Sequence, residues 1–331
     1  MVKNAAAKPG TERGRDARGP SQIPAIGWAD IAMRLWNSIS EDRVMLVAGG
    51  ATFYLLLALF PAMTAFISAY GLVADASTVT QNLDNLSGLI PEAALQLIGE
   101  RLESLASQDS GALGFGLISG LLIALWSANN GVKGLFEALN IAYGETEKRS
   151  FIWLNLVAFT FTLGSMVTVA TLISLIGIVP VVLRYLYIGE MAEWLVTVLR
   201  WPVLIGVLGI GITCLYRFGP SREAAQWRWL TWGGILATAA WVGVSVGFSF
   251  YLRNFADYEA TYGSLGAAIG FMMWTWISVI ILIVGAEFNA EMEHQTSVDS
   301  TTGKPKPMGE RGAYMADTLG KPMVKAERTQ D

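Results

Sequence analysis

The fold class that the sequence predicts is an all-α, polytopic membrane protein: a bundle of six transmembrane helices with both termini in the cytoplasm. Three observations predict it. Only 15% of the 331 residues are charged and 53% are hydrophobic, whereas a soluble domain carries about 25% charged residues. Uncharged runs such as 44–74 and 260–286 exceed the roughly 20 residues that a helix needs to cross a bilayer. Lys and Arg divide nineteen to four across a six-span arrangement, the poor side holding Arg101, Arg184, Arg200 and Arg253, and the rich side reads as cytoplasmic. The net charge of −4 says little here, since orientation depends on where the basic residues sit.

Residues 1–26 are rich in Gly, Pro, Ala, Lys and Arg and are expected to be disordered. No short apolar core follows the early basic residues, so the first span is expected to act as the insertion signal. The membrane domain then occupies 27–294. Between Gly27 and Asp42, Trp28, Ile31, Met33, Leu35, Trp36 and Ile39 alternate with Asp30, Arg34, Asn37 and Glu41. That pattern suits either a helix lying in the interface, with its tryptophans at headgroup depth, or a helix packed on neighbouring protein.

The first span, 44–74, contains Pro61, which removes a backbone donor and is expected to kink the helix near Leu57. Residues 76–110 form a polar excursion in which Val79, Leu83, Leu86 and Ile90, then Leu95, Ile98, Leu102 and Leu105, keep helical spacing. Two short amphipathic helices on the extracytoplasmic side are expected there. The second span, 111–128, is rich in glycine and ends before Asn129-Asn130-Gly131; Glu137 and Asn140 follow on one helical face. The third span, 151–182, is longer than a bilayer requires and should tilt or break near Gly177 and Pro180. Its stripe of Thr160, Gly164, Thr168 and Thr171 reads as a helix contact or a substrate path. The fourth (195–216) and fifth (229–252) carry small residues on one side, and Arg200 lies where it can snorkel outward. The sixth, 264–287, is entered through Arg253, Asp257, Tyr262, Gly263 and Ser264 and left through Glu287 and Asn289. The tail, 295–331, has few bulky apolar residues and is expected to be disordered.

Lone residues exclude several chemistries. Cys214 is the single cysteine and His294 the single histidine, so a disulfide framework, a thiolate metal site and a histidine-rich metal site are excluded. A nucleophilic triad would have to run through His294. No cofactor and no nucleic-acid partner is expected.

The segments Ala51-Thr-Phe-Tyr-Leu-Leu-Leu-Ala-Leu-Phe60-Pro61, Leu125-Trp126-Ser127-Ala128 with Ala138-Leu139-Asn140, Leu215-Tyr216-Arg217-Phe218, Tyr262-Gly263-Ser264-Leu265-Gly266 and Gly285-Ala286-Glu287-Phe288-Asn289-Ala290 together resemble the YihY/BrkB family of bacterial inner-membrane proteins. The resemblance covers about 30–293. It departs from the family at Gly219-Pro220-Ser221-Arg222, where Pro is more often followed by Asn. It implies a multi-pass protein of the bacterial inner membrane, and members have been labelled virulence-associated factors, transporters and ribonuclease BN. The cytoplasmic acids show no metal-ligand spacing, which points away from nuclease chemistry.

Two readings remain. In the first, a transporter or facilitator moves a small solute or ion, with Glu287, Asn289, Asn140 and Glu137 as an inner polar gate. Tyr262, Gly263, Ser264, Asp257 and Arg253 form its outer mouth, and Pro61 supplies the kink. In the second, an envelope or lipid-handling scaffold uses the same residues to anchor helix ends. Membrane lipids are partners in both, and the small-residue stripes leave homo-oligomerisation open.

Overall fold

The computed structural model describes residues 11–73, 110–173, 189–254 and 266–324, and among these residues the regular structure is helical with no strand. In chain order the helices are α1 (Ala25–Glu41), α2 (Val44–Val73), α3 (Ser110–Ala142), α4 (Phe151–Ile173), α5 (Gly189–Phe218), α6 (Trp227–Asn254), α7 (Gly266–Glu293) and a single turn, α8 (Tyr314–Asp317). Two short 3-10 turns, Thr11–Arg13 and Pro20–Gln22, precede them. The polar excursion, the expected break near Gly177 and Pro180, and Asp257, Tyr262, Gly263 and Ser264 lie outside the described residues.

Helices α3 to α7 each contain a stretch long and apolar enough to cross a membrane, and the bent pair α1–α2 brings the count to six. Their outward faces carry uncovered side chains such as Ile152, Ile210 and Val246, each more than 60% exposed. A water-soluble surface does not present apolar residues at this density; hydrocarbon is the solvent that accepts them.

The amphipathicity of α1 is inverted. Gly27, Asp30, Ile31 and Arg34 are buried at helical spacing, while Met33 and Trp36 face outward, Trp36 at 76% exposure. One face packs on protein through Asp30 and Arg34, as one of the two sequence readings expects, and the other presents Met33 and Trp36 outward. Chain direction changes by 59° between α1 and α2, at Arg43, which takes a left-handed φ of 50°. Pro61 lies inside α2, and the helix runs on past it to Val73.

The second span is longer than the sequence suggests. Asn129-Asn130-Gly131 does not end it, and α3 continues to Ala142. The reason is packing: a side chain at Gly131 would strike Leu55, and one at Gly134 would meet the Ala51 backbone at 3.2 Å. Close approach to α2 offsets the weak helix propensity of glycine. The helix ends at Gly144, where φ is +64° and the amide nitrogens of Gly144 and Glu145 donate to the carbonyls of Ile141 and Asn140. Pro202 sits inside α5, and the Thr160, Thr168 and Thr171 hydroxyls of α4 donate to carbonyls four residues back in their own helix.

The chain divides into two compact units, one of 1–48, 135–244 and 278–331, the other of 49–134 and 245–277. In the first, the expected terminal disorder gives way to defined structure. The Ser297 amide donates to the Arg15 carbonyl at 2.8 Å, Thr296 Oγ1 to the Ala17 carbonyl at 2.6 Å and Gln295 Nε2 to the Arg13 carbonyl at 2.7 Å. Ala17 and Ile23 join Ile31, Trp229 and Met292 in a small core. Composition predicts disorder because neither segment can bury enough alone; each supplies the other's hydrogen-bond partners.

Candidate functional site

Helix α7 emerges from a run of apolar residues into Glu287, Asn289, Glu291 and Glu293, all at most 4% exposed. An isolated charge at such positions is costly, so each needs a partner. Glu291 forms an ion pair with Arg34 of α1, and Arg34 also donates to Gln295 Oε1 at 2.9 Å and to the Glu291 carbonyl at 3.2 Å. Glu293 pairs with Arg222 at 2.7 Å and accepts from Ser300 Oγ at 2.7 Å. The Arg222 guanidinium lies 4.7 Å from the centre of the Tyr143 ring. Burial alone would push the Arg222 pKa down, but the Glu293 carboxylate outweighs it and holds the arginine above its ordinary value. Asp30, fully buried, binds Arg13 at 2.6 Å and the backbone amides of Met323 and Val324.

The two asparagines join neighbouring elements. Asn289 accepts from the Gly233 amide at 2.9 Å and donates to the Leu230 carbonyl at 3.2 Å, clasping α7 to α6. Gly233 is required there, because a side chain would collide with Asn289 and with the Gly285 carbonyl. Asn140 accepts from the Ser221 amide at 2.7 Å and donates to Glu147 at 3.3 Å, joining the loop after α3 to the loop after α5. A two-pronged hydrogen bond from Arg149 draws the Glu147 pKa down to about 2, with burial opposing. In the tail, burial raises Asp317, but backbone amides from Arg311, Gly309, Ala313 and Gly312 more than compensate and lower it.

Glu287 is different. It is 1% exposed, neither carboxyl oxygen meets a basic or amide donor, and the side chain that it does meet is the Asp42 carboxyl. Asp42, between α1 and α2, and Glu291 are the acidic groups near it. The Tyr143 hydroxyl, also buried, faces the Asn289 side chain.

Of the sequence-predicted gate, Glu287, Asn289 and Asn140 are all buried at the same end of the first unit, whereas Glu137 is exposed. Of the outer mouth, Arg253 falls in the last turn of α6, and the remainder lies outside the described residues. Asp42, Tyr143, Arg34 and Arg222 did not stand out in the sequence. Arg34 could have been found, since it falls one helical turn from Asp30 and Ile31 on a face otherwise destined for burial. Arg222, in a loop, left no such trace. Among the described residues no three His, Cys, Asp or Glu side chains converge as a metal site requires.

The sequence profile of the family described as virulence factor BrkB matches residues 35–309. A Bacillus subtilis protein named as ribonuclease-like, YfkH, is 33% identical over 245 residues, 72% of this chain and 86% of that protein. A UPF0761 membrane protein of Chromobacterium violaceum is 25% identical over 279 residues, 82% of this chain. This chain spans 63% of that relative's length. A UPF0761 membrane protein of Haemophilus influenzae is 21% identical over 277 residues, 81% of this chain and 97% of that protein. No solved structure matches. Apolar helices enough for a multi-pass bundle, and a profile match over most of the chain, place this protein in the BrkB family of bacterial membrane proteins.

Proposed function

We propose that the protein is a transporter or facilitator for a small solute or ion, oriented with both termini in the cytoplasm, and that Glu287 lies on the path its substrate takes. The observation that carries this reading is a carboxyl group buried at the end of a membrane helix, facing a second carboxyl, Asp42, with no basic side chain to neutralise it. Membrane proteins keep ionisable groups in such places where something passes or binds, and an unmet buried polar group calls for an explanation. Its neighbours Glu291 and Glu293 are neutralised by arginines and suit anchoring instead.

Scaffolding is the second reading, favoured by Asn140 and Asn289, whose side chains are spent on backbone groups of adjacent elements. The nuclease activity that the Bacillus relative's name suggests is not the reading proposed. Among the described residues the acids Glu147, Glu291 and Glu293 are each committed to an arginine, which takes them out of the free acid/base pairs that a nuclease needs.

The test is flux through proteoliposomes. Proton and alkali-cation entry is read with trapped fluorescent indicators, and polyol entry by light scattering, for wild type and Glu287→Gln. Flux above that of empty vesicles that disappears in a folded Glu287→Gln protein supports the proposal. Wild-type vesicles no leakier than empty ones to any of these probes would favour the scaffold.

A further inference from the structure

A groove of about 800 Å³ runs between α5 and α6, wholly within the first unit and apart from Glu287. Ile205, Gly206, Gly209, Ile210, Gly234, Ile235 and Gly243 are among its lining residues. Gly206 and Gly243 leave the space open, with nothing within 4 Å of where a Cβ would stand, whereas Gly209 and Gly234 let α5 and α6 close on Thr238 and Thr213 and form the floor of the groove. The threonines in the lining, Thr213, Thr231 and Thr238, spend their hydroxyls on carbonyls of their own helices. The interior therefore asks for an apolar occupant. Along α6 the lining extends from Trp227 to Gly243, about 24 Å at 1.5 Å per residue, enough to carry an acyl chain from headgroup depth past the middle of a roughly 30 Å hydrocarbon core.

One end of the groove is basic. Trp227 belongs to the lining and also supports the Arg217 guanidinium, 4.6 Å from its ring centre, while Arg217 is held by the Ala225 carbonyl. Arg228 follows next in sequence and is exposed. The tail crosses beside this loop through the Ala225–Thr301 bridge, and the exposed Lys304 and Lys306 come just after it. Against these the loop offers Glu223 as an exposed acid, since Arg222 and Glu293 neutralise each other. A tryptophan and arginines at a helix end mark headgroup depth, and basic clusters there attract anionic lipid.

We propose that this groove is a binding site for an anionic phospholipid, with an acyl chain between α5 and α6 and the headgroup phosphate on the Arg217–Trp227–Arg228 rim. The site stands independently of transport through Glu287.

The test is native mass spectrometry of the full chain, delipidated and titrated with phosphatidylglycerol or phosphatidylethanolamine, with oligomeric mass read in the same spectra. Gly206→Leu/Gly243→Leu fills the groove from positions where a side chain meets open space. Arg228→Gln removes rim charge without touching the groove and serves if the filled variant does not fold. Wild type is expected to retain phosphatidylglycerol about tenfold more tightly than phosphatidylethanolamine. The filled variant should lose about tenfold in affinity for both, and Arg228→Gln should lose most of the preference. Equal binding of the two lipids by wild type, or a folded filled variant that binds phosphatidylglycerol as wild type does, overturns the proposal. A filled variant that loses an oligomer while keeping its lipid also overturns it, and identifies the groove as a contact between copies.

Discussion

Glu287 and Asn289 sit two residues apart on α7 and are expected to respond oppositely to substitution. Glu287→Met removes a buried carboxyl that faces another carboxyl, Asp42, and no basic group, so thermal stability in detergent should be unchanged or higher, as when a functional group is replaced by one that suits its surroundings. Asn289→Ala leaves the Gly233 amide and the Leu230 carbonyl without their partner, and should cost about 2 kcal/mol or more. Equal losses in the two variants would mean that Glu287 is an anchor too. Glu147 gives a pH-dependent counterpart. Its folded pKa is drawn down to about 2, first by the Arg149 hydrogen bonds, so its stabilisation is complete above the ordinary carboxylate range and fades as pH falls towards 2. Glu147→Gln should flatten that acid limb of the stability profile, measured by urea unfolding at stepped pH.

At the scale of elements, the buried ion pairs tie the end of α7 to α1 and to the loop before α6. Removing one partner of a buried pair typically costs about 3–5 kcal/mol, whereas replacing both is far milder. Arg222→Met alone should therefore be strongly destabilising, and Arg222→Met/Glu293→Met much less so. A double-mutant cycle in thermal unfolding reads the difference, and additive losses would mean that the pair does not couple. Helix existence was legible in the sequence because long uncharged runs have few alternatives in a membrane protein. Helix ends were less so. Asn129-Asn130-Gly131 carries the local signals of a terminus, and only the approach of α2 at Leu55 and Ala51 shows why α3 passes through it. The ordered tail was hidden for the same reason: its partners are carbonyls of Arg13, Arg15 and Ala17, almost 300 residues away, and no local pattern encodes them. Glu287 and Asn289 were legible as a polar exit from an apolar run. That one faces another carboxyl, Asp42, and the other is spent on α6 became visible only from the packing around α7.

For the molecule as a whole, contact between the N-terminal segment and the tail requires both to lie on one side, and in the orientation proposed here, which follows the Lys and Arg distribution, that side is the cytoplasm. With Cys214 replaced by Ser, cysteines at Arg18 and Lys306, both exposed, should resist a membrane-impermeant maleimide in intact spheroplasts and react after permeabilisation. Labelling of one site but not the other in intact cells would break the six-span arrangement. The central claim is that Glu287 belongs to a site for a small solute or ion. Its most direct test is a thermal-shift screen of purified wild type and Glu287→Gln against ions, polyols, amino acids, sugar phosphates and lipids. A ligand at a hundred times its Kd adds about 2.7 kcal/mol of apparent stability. A saturable shift from a small solute or ion is expected in wild type, shrinking or vanishing in Glu287→Gln. Stabilisation by lipids alone, equal in the two proteins, would contradict it.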